Sequence, residues 1–72
     1  MNSPVEITTD IMSLGFTRDQ AGTLASGIYS SIKYKDPIFI ELVCKMFKDT
    51  RYSKWGNESG LVDELKNRYN LV

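Results

Sequence analysis

Apolar residues recur at helical spacing in four stretches of the chain, and each stretch is bounded by residues that begin or end helices. In the first, Ile7, Ile11 and Leu14 follow one another at steps of three and four, which places them on one face of a helix. The preceding Ser3-Pro4-Val5-Glu6 offers a capping serine, a first-turn proline and a glutamate that completes a capping box. Gly15 suits a left-handed stop. The pattern predicts a first helix over residues 4–14.

A second capping box, Thr17-Arg18-Asp19-Gln20, opens the next stretch and predicts a helix over residues 18–32. Gly22 and Gly27 lie inside it, and each costs about 1 kcal/mol relative to alanine. Glycines at such positions either permit close packing with another helix or are simply tolerated. The apolar face of this helix comprises Ala21, Leu24, Ala25, Ile28 and Ile32.

The third stretch begins at Asp36-Pro37, which repeats the order of cap and proline. From Ile38 to Phe47 only Glu41 and Lys45 are charged. This i,i+4 pair marks the one side of the predicted helix that faces solvent. A helix that is apolar nearly all round is either central or meets a second chain. A strand over residues 38–43 is the competing interpretation, but the cap and the length favour a helix over residues 37–51.

The turn-rich segment Gly56-Asn57-Glu58-Ser59-Gly60 separates this stretch from a short fourth helix, predicted over residues 60–69. The fold predicted for residues 1–72 is therefore all-α, a compact bundle of four short helices in a single domain. Its predicted core consists of Ile7, Ile11, Leu14, Leu24, Ile28, Val43, Phe47 and Leu65.

Charge is balanced overall but uneven along the chain. The 72 residues contain nine basic and nine acidic side chains, so no global field draws the protein to nucleic acid or membrane. The net charge is −2 over residues 1–32, +3 over residues 33–54 and −1 over the remainder. No signal peptide, lipidation motif or apolar run of membrane-spanning length is visible, which makes the cytoplasm the expected compartment.

The residues that most enzymes need are missing. The chain has no histidine and only one cysteine, Cys44, which is expected to be a small buried hydrophobe. Asp63 and Glu64 are helical neighbours that point in different directions, so they are not a catalytic pair. No cysteine or carboxylate cluster has metal-ligand spacing. We expect a non-enzymatic protein without a cofactor or metal.

One segment resembles a known family. Ile11-Met12-Ser13-Leu14-Gly15-Phe16, followed by Ala21 and Leu24-Ala25, resembles the opening of ubiquitin-associated (UBA) domains, within a match over residues 7–25. The resemblance implies that Leu14, Gly15 and Phe16 form an exposed loop that contacts ubiquitin together with the end of the third helix. A structural alternative is a helix C-cap with a flanking hydrophobic contact and Phe16 in the core.

These observations favour a protein-binding module that acts as a regulator, adaptor or inhibitor, like the small helical proteins found in phages. Its partner is expected to be another protein, and the family implies a ubiquitin-like one. The apolar third helix also predicts self-association as a homodimer. The candidate protein-binding residues are Leu14, Gly15, Phe16, Phe39 and Met46.

Nucleic-acid binding is the alternative function. A segment over residues 45–55 mixes cations with aromatics, a combination that can neutralise phosphates and stack on bases. Its cations are also explained by the negative end of the third helix, without any ligand. The candidate nucleic-acid-binding residues are Lys45, Lys48, Arg51, Lys54 and Trp55.

Overall fold

The computed structural model describes residues 3–46 and 58–71, with side chains from residue 60 onward in the second range. Within these ranges the chain forms helices and no strand, which confirms the all-α bundle. Helix α1 packs on α2, α2 on α3, and α3 on α4. The bounds of the helices are α1 Pro4–Met12, α2 Arg18–Tyr34, α3 Ile38–Cys44 and α4 Glu58–Arg68.

Both predicted capping boxes are present. The Ser3 hydroxyl accepts from the Glu6 amide at 3.2 Å, and the Glu6 carboxylate accepts from the Ser3 amide at 3.1 Å. That backbone hydrogen bond is the main reason why the pKa of Glu6 lies below its ordinary value. Thr17 and Gln20 exchange the same two bonds, at 3.2 and 3.0 Å, at the start of α2. Each pair satisfies amides that a helix N-terminus otherwise leaves without partners.

The connections between helices use two left-handed residues. Gly15, with φ of 107°, reverses the chain after α1, as predicted. Helix α2 runs two residues beyond its predicted end and stops at Lys35, whose φ is 55° and whose amide donates to the Ser31 carbonyl. The Asp36 carboxylate then accepts from the Ile38 amide at 3.0 Å. The connection from α2 to α3 is consequently short and internally bonded.

The predicted extent of the third helix is wrong. The pattern predicted residues 37–51, but α3 ends at Cys44, and Lys45 and Met46 form a turn. The Met46 amide donates to the Val43 carbonyl at 3.1 Å, an i,i+3 bond that tightens the chain at the helix end. Residues 47–51 of the predicted helix lie outside the described residues.

The core confirms most of the predicted positions and adds others. Leu14 and Val43 pack at its edge and are only partly buried, while Phe47 lies outside the described residues. Cys44 is fully buried, in agreement with its predicted role as a small hydrophobe. The predicted residues that are buried are Ile7, Ile11, Leu24, Ile28 and Leu65. The additional ones are Phe16, Ala21, Ala25, Ile40, Cys44, Leu61 and Val62.

Helices α2 and α3 lie in close contact at Gly27. A Cβ atom at Gly27 would lie 2.7 Å from the Phe39 carbonyl oxygen and 2.7 Å from a Val43 methyl carbon. A Cβ atom at Gly22, on the same helix, would meet nothing within 4 Å in the described part of the chain outside its own helix. Close packing therefore explains Gly27, and simple tolerance explains Gly22.

A buried hydroxyl fixes the start of α3. Ser31 has no exposed surface, and its oxygen accepts from the Ile40 amide at 3.1 Å. That amide is in the first turn of α3, where side-chain acceptors replace the missing helical ones. Ser31 of α2 thus shares the Ile40 amide with the Pro37 carbonyl, which accepts from it at 3.1 Å, and links the start of α3 to α2.

Polar contacts connect α4, and the residue that follows it, to α1 and to α3. The Tyr69 hydroxyl donates to Asp10 on α1, Arg68 lies 3.4 Å from the same carboxylate, and Lys66 lies 3.5 Å from Glu41 on α3. Burial, followed by the bond to Asp10, raises the pKa of Tyr69 above its ordinary value. The stability that Tyr69 contributes is thus fully present below pH of about 10 and is lost as the pH rises further.

The two glycines of α2 provide a matched pair of substitutions. We expect Gly22→Ala to stabilise the protein by about 0.5–1 kcal/mol, since it improves helix propensity in open space. Gly27→Ala should instead destabilise it by roughly 1–3 kcal/mol through overpacking against α3. Urea unfolding of the two variants checks both values. Equal stabilisation by the two alanines would contradict the close approach at Gly27.

Candidate protein-binding face

Helix α3 has a buried side that faces the other helices. Ile40 and Cys44 are fully buried, one helical turn apart. Val43 and Phe39 are partly buried, next to Gly27 of α2. These four apolar residues explain how α3 is held in the bundle.

The opposite side of α3 is also apolar but open. Ile38 is 41% exposed, Leu42 is 52% exposed and Met46 is 67% exposed. They recur at steps of four, which places them in one stripe along the helix and into the turn that follows it. We call Ile38, Leu42 and Met46 the α3 face. It is a run of three large apolar side chains that no described residue covers fully.

An aromatic pair extends this surface toward α2. The ring of Tyr34, at the end of α2, lies 5.6 Å from the ring of Phe39 between centroids and is tilted by 40°, a favourable arrangement for aromatic rings. Tyr34 is itself 61% exposed. The Lys33 ammonium lies 5.5 Å from the Tyr34 ring centroid, within the range of a cation–π contact.

The other edge of the α3 face is polar. Lys45 follows the end of α3, four residues after Glu41, and the Glu41 carboxylate pairs with Lys66 of α4 at 3.5 Å. Lys45 is exposed and has no carboxylate partner among residues 3–46 and 58–71. The prediction that Glu41 and Lys45 mark the polar side of this helix is therefore confirmed, but Glu41 pairs with Lys66 of α4 rather than with Lys45.

Most of the loop that the UBA resemblance implies to be exposed is packed against the core. Phe16 exposes only 6% of its surface and belongs to the core, so the expectation of an exposed loop residue is wrong for it. Leu14 is partly buried against the core, and only Gly15 is exposed. The physical reason is that the reversal at Gly15 turns the chain back onto the bundle before Thr17 begins α2. The structural alternative for this segment is the one observed.

Of the remaining predicted site residues, the structure describes Phe39, Lys45 and Met46. Phe39 is partly buried, whereas Met46 is exposed and lies in the α3 face. Lys45, of the nucleic-acid set, is exposed beside it. The other members of that set, Lys48, Arg51, Lys54 and Trp55, lie outside the described residues.

Ile38 and Leu42 were not among the candidate residues predicted from the sequence. A signal was present, because both precede Met46 at multiples of four residues. It was hidden by the other apolar residues of this helix, since a helix that is apolar all round does not indicate which side is buried.

A concave surface follows the outer side of α1. It has a volume of about 430 Å³, and its exposed apolar residues are Val5 and Met12. Two threonines and Arg18 supply the polar part of its lining. Val5 lies on α1 and is 75% exposed, which makes it a suitable control position for substitutions in the α3 face.

Over residues 3–46 and 58–71, no three metal-ligating side chains cluster, and no helix has the length and apolar character needed to cross a bilayer. Comparison with family models, curated proteins and solved structures finds no match. The case for the α3 face therefore depends on its own geometry.

Phe16 provides a direct stability test of the closed loop. We expect Phe16→Ala to destabilise the protein by roughly 3–5 kcal/mol, because it removes a buried aromatic side chain. Val5→Ala, at a position that is 75% exposed, should change stability by about 0.5 kcal/mol or less. The free energy of unfolding in urea measures both. A Phe16→Ala protein as stable as the wild type would place Phe16 outside the core.

Proposed function

We propose that this protein is a small non-enzymatic protein-binding module, a regulator, adaptor or inhibitor, that contacts its partner through the α3 face. The observation that supports the proposal is the exposure of Ile38, Leu42 and Met46 at successive helical turns. Isolated exposed hydrophobes are ordinary on protein surfaces, but an aligned set of large ones is typical of interaction sites.

Burial of the α3 face against a partner would contribute to the free energy of binding. Full burial of one large aliphatic side chain contributes about 1.5–3 kcal/mol, and interfaces commonly depend on a few such residues surrounded by a polar rim. Leu42 is the middle residue of the α3 face, with Ile38 and Met46 one turn away on either side. We therefore expect Leu42 to contribute most to the affinity.

The resemblance to UBA domains supports the same general function and adds a specific version of it. In that family the loop after the first helix and the end of the third helix contact ubiquitin. Here the loop offers mainly Gly15, since Phe16 is buried. Of the two contact regions that the family implies, only the one after the end of the third helix, at Met46, is exposed. A ubiquitin-like partner would consequently have to bind chiefly through the α3 face.

Leu42→Glu tests the proposal. The variant keeps a good helix former on an exposed position, so stability should change little, while a charge in the middle of the face should reduce binding at least tenfold. The matched control is Val5→Glu, which places the same charge on an exposed apolar residue of α1. The measurement is affinity capture from an extract of the cells that make the protein, with and without nuclease.

We expect the wild type and Val5→Glu to retain the same partner and Leu42→Glu to lose it, with or without nuclease. Equal retention by all three proteins would show that the α3 face is not the binding surface. A partner that disappears after nuclease treatment would favour the nucleic-acid alternative instead.

A further inference from the structure

We infer that the α3 face receives an acidic amphipathic helix of the partner protein. This inference rests on the proposed function and specifies the chemistry of the partner at the same site. It follows from three features: the charges at the edges of the face, the shape of the apolar stripe, and the backbone hydrogen bonding of α3.

A lysine lies toward each side of the α3 face. On the α2 side Lys33 lies over the Tyr34 ring, and on the other side Lys45 follows Glu41 by one turn. Neither lysine pairs with a carboxylate in the described part of the chain. A partner with carboxylates on both sides of its apolar stripe would meet a cation at each edge.

The nearby carboxylates are already engaged. Asp36 accepts from the Ile38 amide at 3.0 Å and so caps the start of α3. Glu41 pairs with Lys66 at 3.5 Å. The Glu41–Lys66 pair is neutral as a whole, whereas Asp36 is exposed and keeps its negative charge. Three exposed lysines, Lys33, Lys35 and Lys45, outweigh Asp36, so the net charge beside the face is +2.

The shape of the stripe favours a helical partner. The α3 face is one residue wide and spans the nine residues from Ile38 to Met46, eight steps that measure about 12 Å at the helical rise of 1.5 Å. Such a ridge packs into the groove between side chains of a second helix. An extended strand would need unpaired backbone groups on this protein, whereas the amides of Ile38 and Ile40 already donate to Asp36 and Ser31.

A second copy of the chain fits less well. Two α3 faces could meet in a parallel or an antiparallel arrangement, and in both the cationic edges of one copy would oppose cationic edges of the other. Like charges placed opposite each other across an interface oppose association. The self-association predicted from the sequence is thus the competing outcome.

The test uses three synthetic helical peptides of about 14 residues, long enough for roughly four turns. All carry the same leucine stripe, and the residues beside it are glutamate in the first, glutamine in the second and lysine in the third. Titration of the isotopically labelled full chain, followed by amide shifts, gives each affinity and locates each site. We expect shifts at Ile38, Leu42 and Met46, with the glutamate peptide bound about tenfold more tightly than the lysine peptide.

Two variants test whether the lysines beside the α3 face cause the preference for the glutamate peptide. Lys33→Glu combined with Lys45→Glu should reverse the order of the glutamate and lysine peptides. Arg18→Glu, at the far end of α2, introduces the same type of change away from the face and should leave the order intact. Raising the salt concentration should narrow the difference between the peptides, since exposed charges are screened.

The failures of the two proposals are distinguishable. Equal binding of all three peptides at the α3 face would overturn the acidic partner and leave the protein-binding face in place. Loss of every peptide, together with capture unaffected by Leu42→Glu, would overturn both. Shifts at Leu42 and Met46 on addition of ubiquitin, or a dimer in sedimentation that Leu42→Glu dissociates, would replace the acidic helix by that occupant.

Discussion

The close approach of α2 and α3 at Gly27 is the contact on which the rest of the structure depends. Any side chain at this position would meet the Phe39 carbonyl and the Val43 methyl groups. The approach determines the rotation of α3 about its own axis, and with it the direction of every apolar residue that the helix carries. Ser31 then fixes the start of α3 through its bond to the Ile40 amide.

Once that rotation is fixed, the division of α3 into two sides follows. Ile40 and Cys44 enter the core, and Ile38 and Leu42 must point away from it. The described residues leave Ile38 41% exposed and Leu42 52% exposed, in keeping with the smaller fraction of surface that a small domain buries. The exposed apolar residues add little to folding stability in this position, and the proposed protein-binding role assigns them to contact with a partner.

Much of the fold could be predicted from local chemistry. The capping boxes at Ser3 and Thr17 and the reversal at Gly15 depend on residues within a few positions of each other, and they marked where α1 and α2 begin. The end of α3 at Cys44 could not be predicted in the same way, since apolar residues continue through Met46 and Phe47 without a glycine or proline to mark a stop.

The candidate site was only partly predictable for a related reason. The sequence indicated that the third helix had more apolar residues than one neighbour could cover, but the exposed side depends on tertiary contacts at Gly27 and Ser31. Phe16 shows the opposite effect. Its place beside a reversing glycine suggested an exposed loop, whereas the reversal folds it back into the core.

Helix α3 presents one apolar side to the core and another to the solvent, and the proposed protein-binding role depends on that division. The most direct measurement is the relaxation that a soluble gadolinium chelate induces in methyl NMR signals, at a protein concentration low enough to exclude association. We expect strong relaxation for the methyl groups of Leu42 and Met46 and little for those of Ile40 and Leu65. Equal protection of Leu42 and Ile40 would contradict the division of α3 into a core side and a binding side.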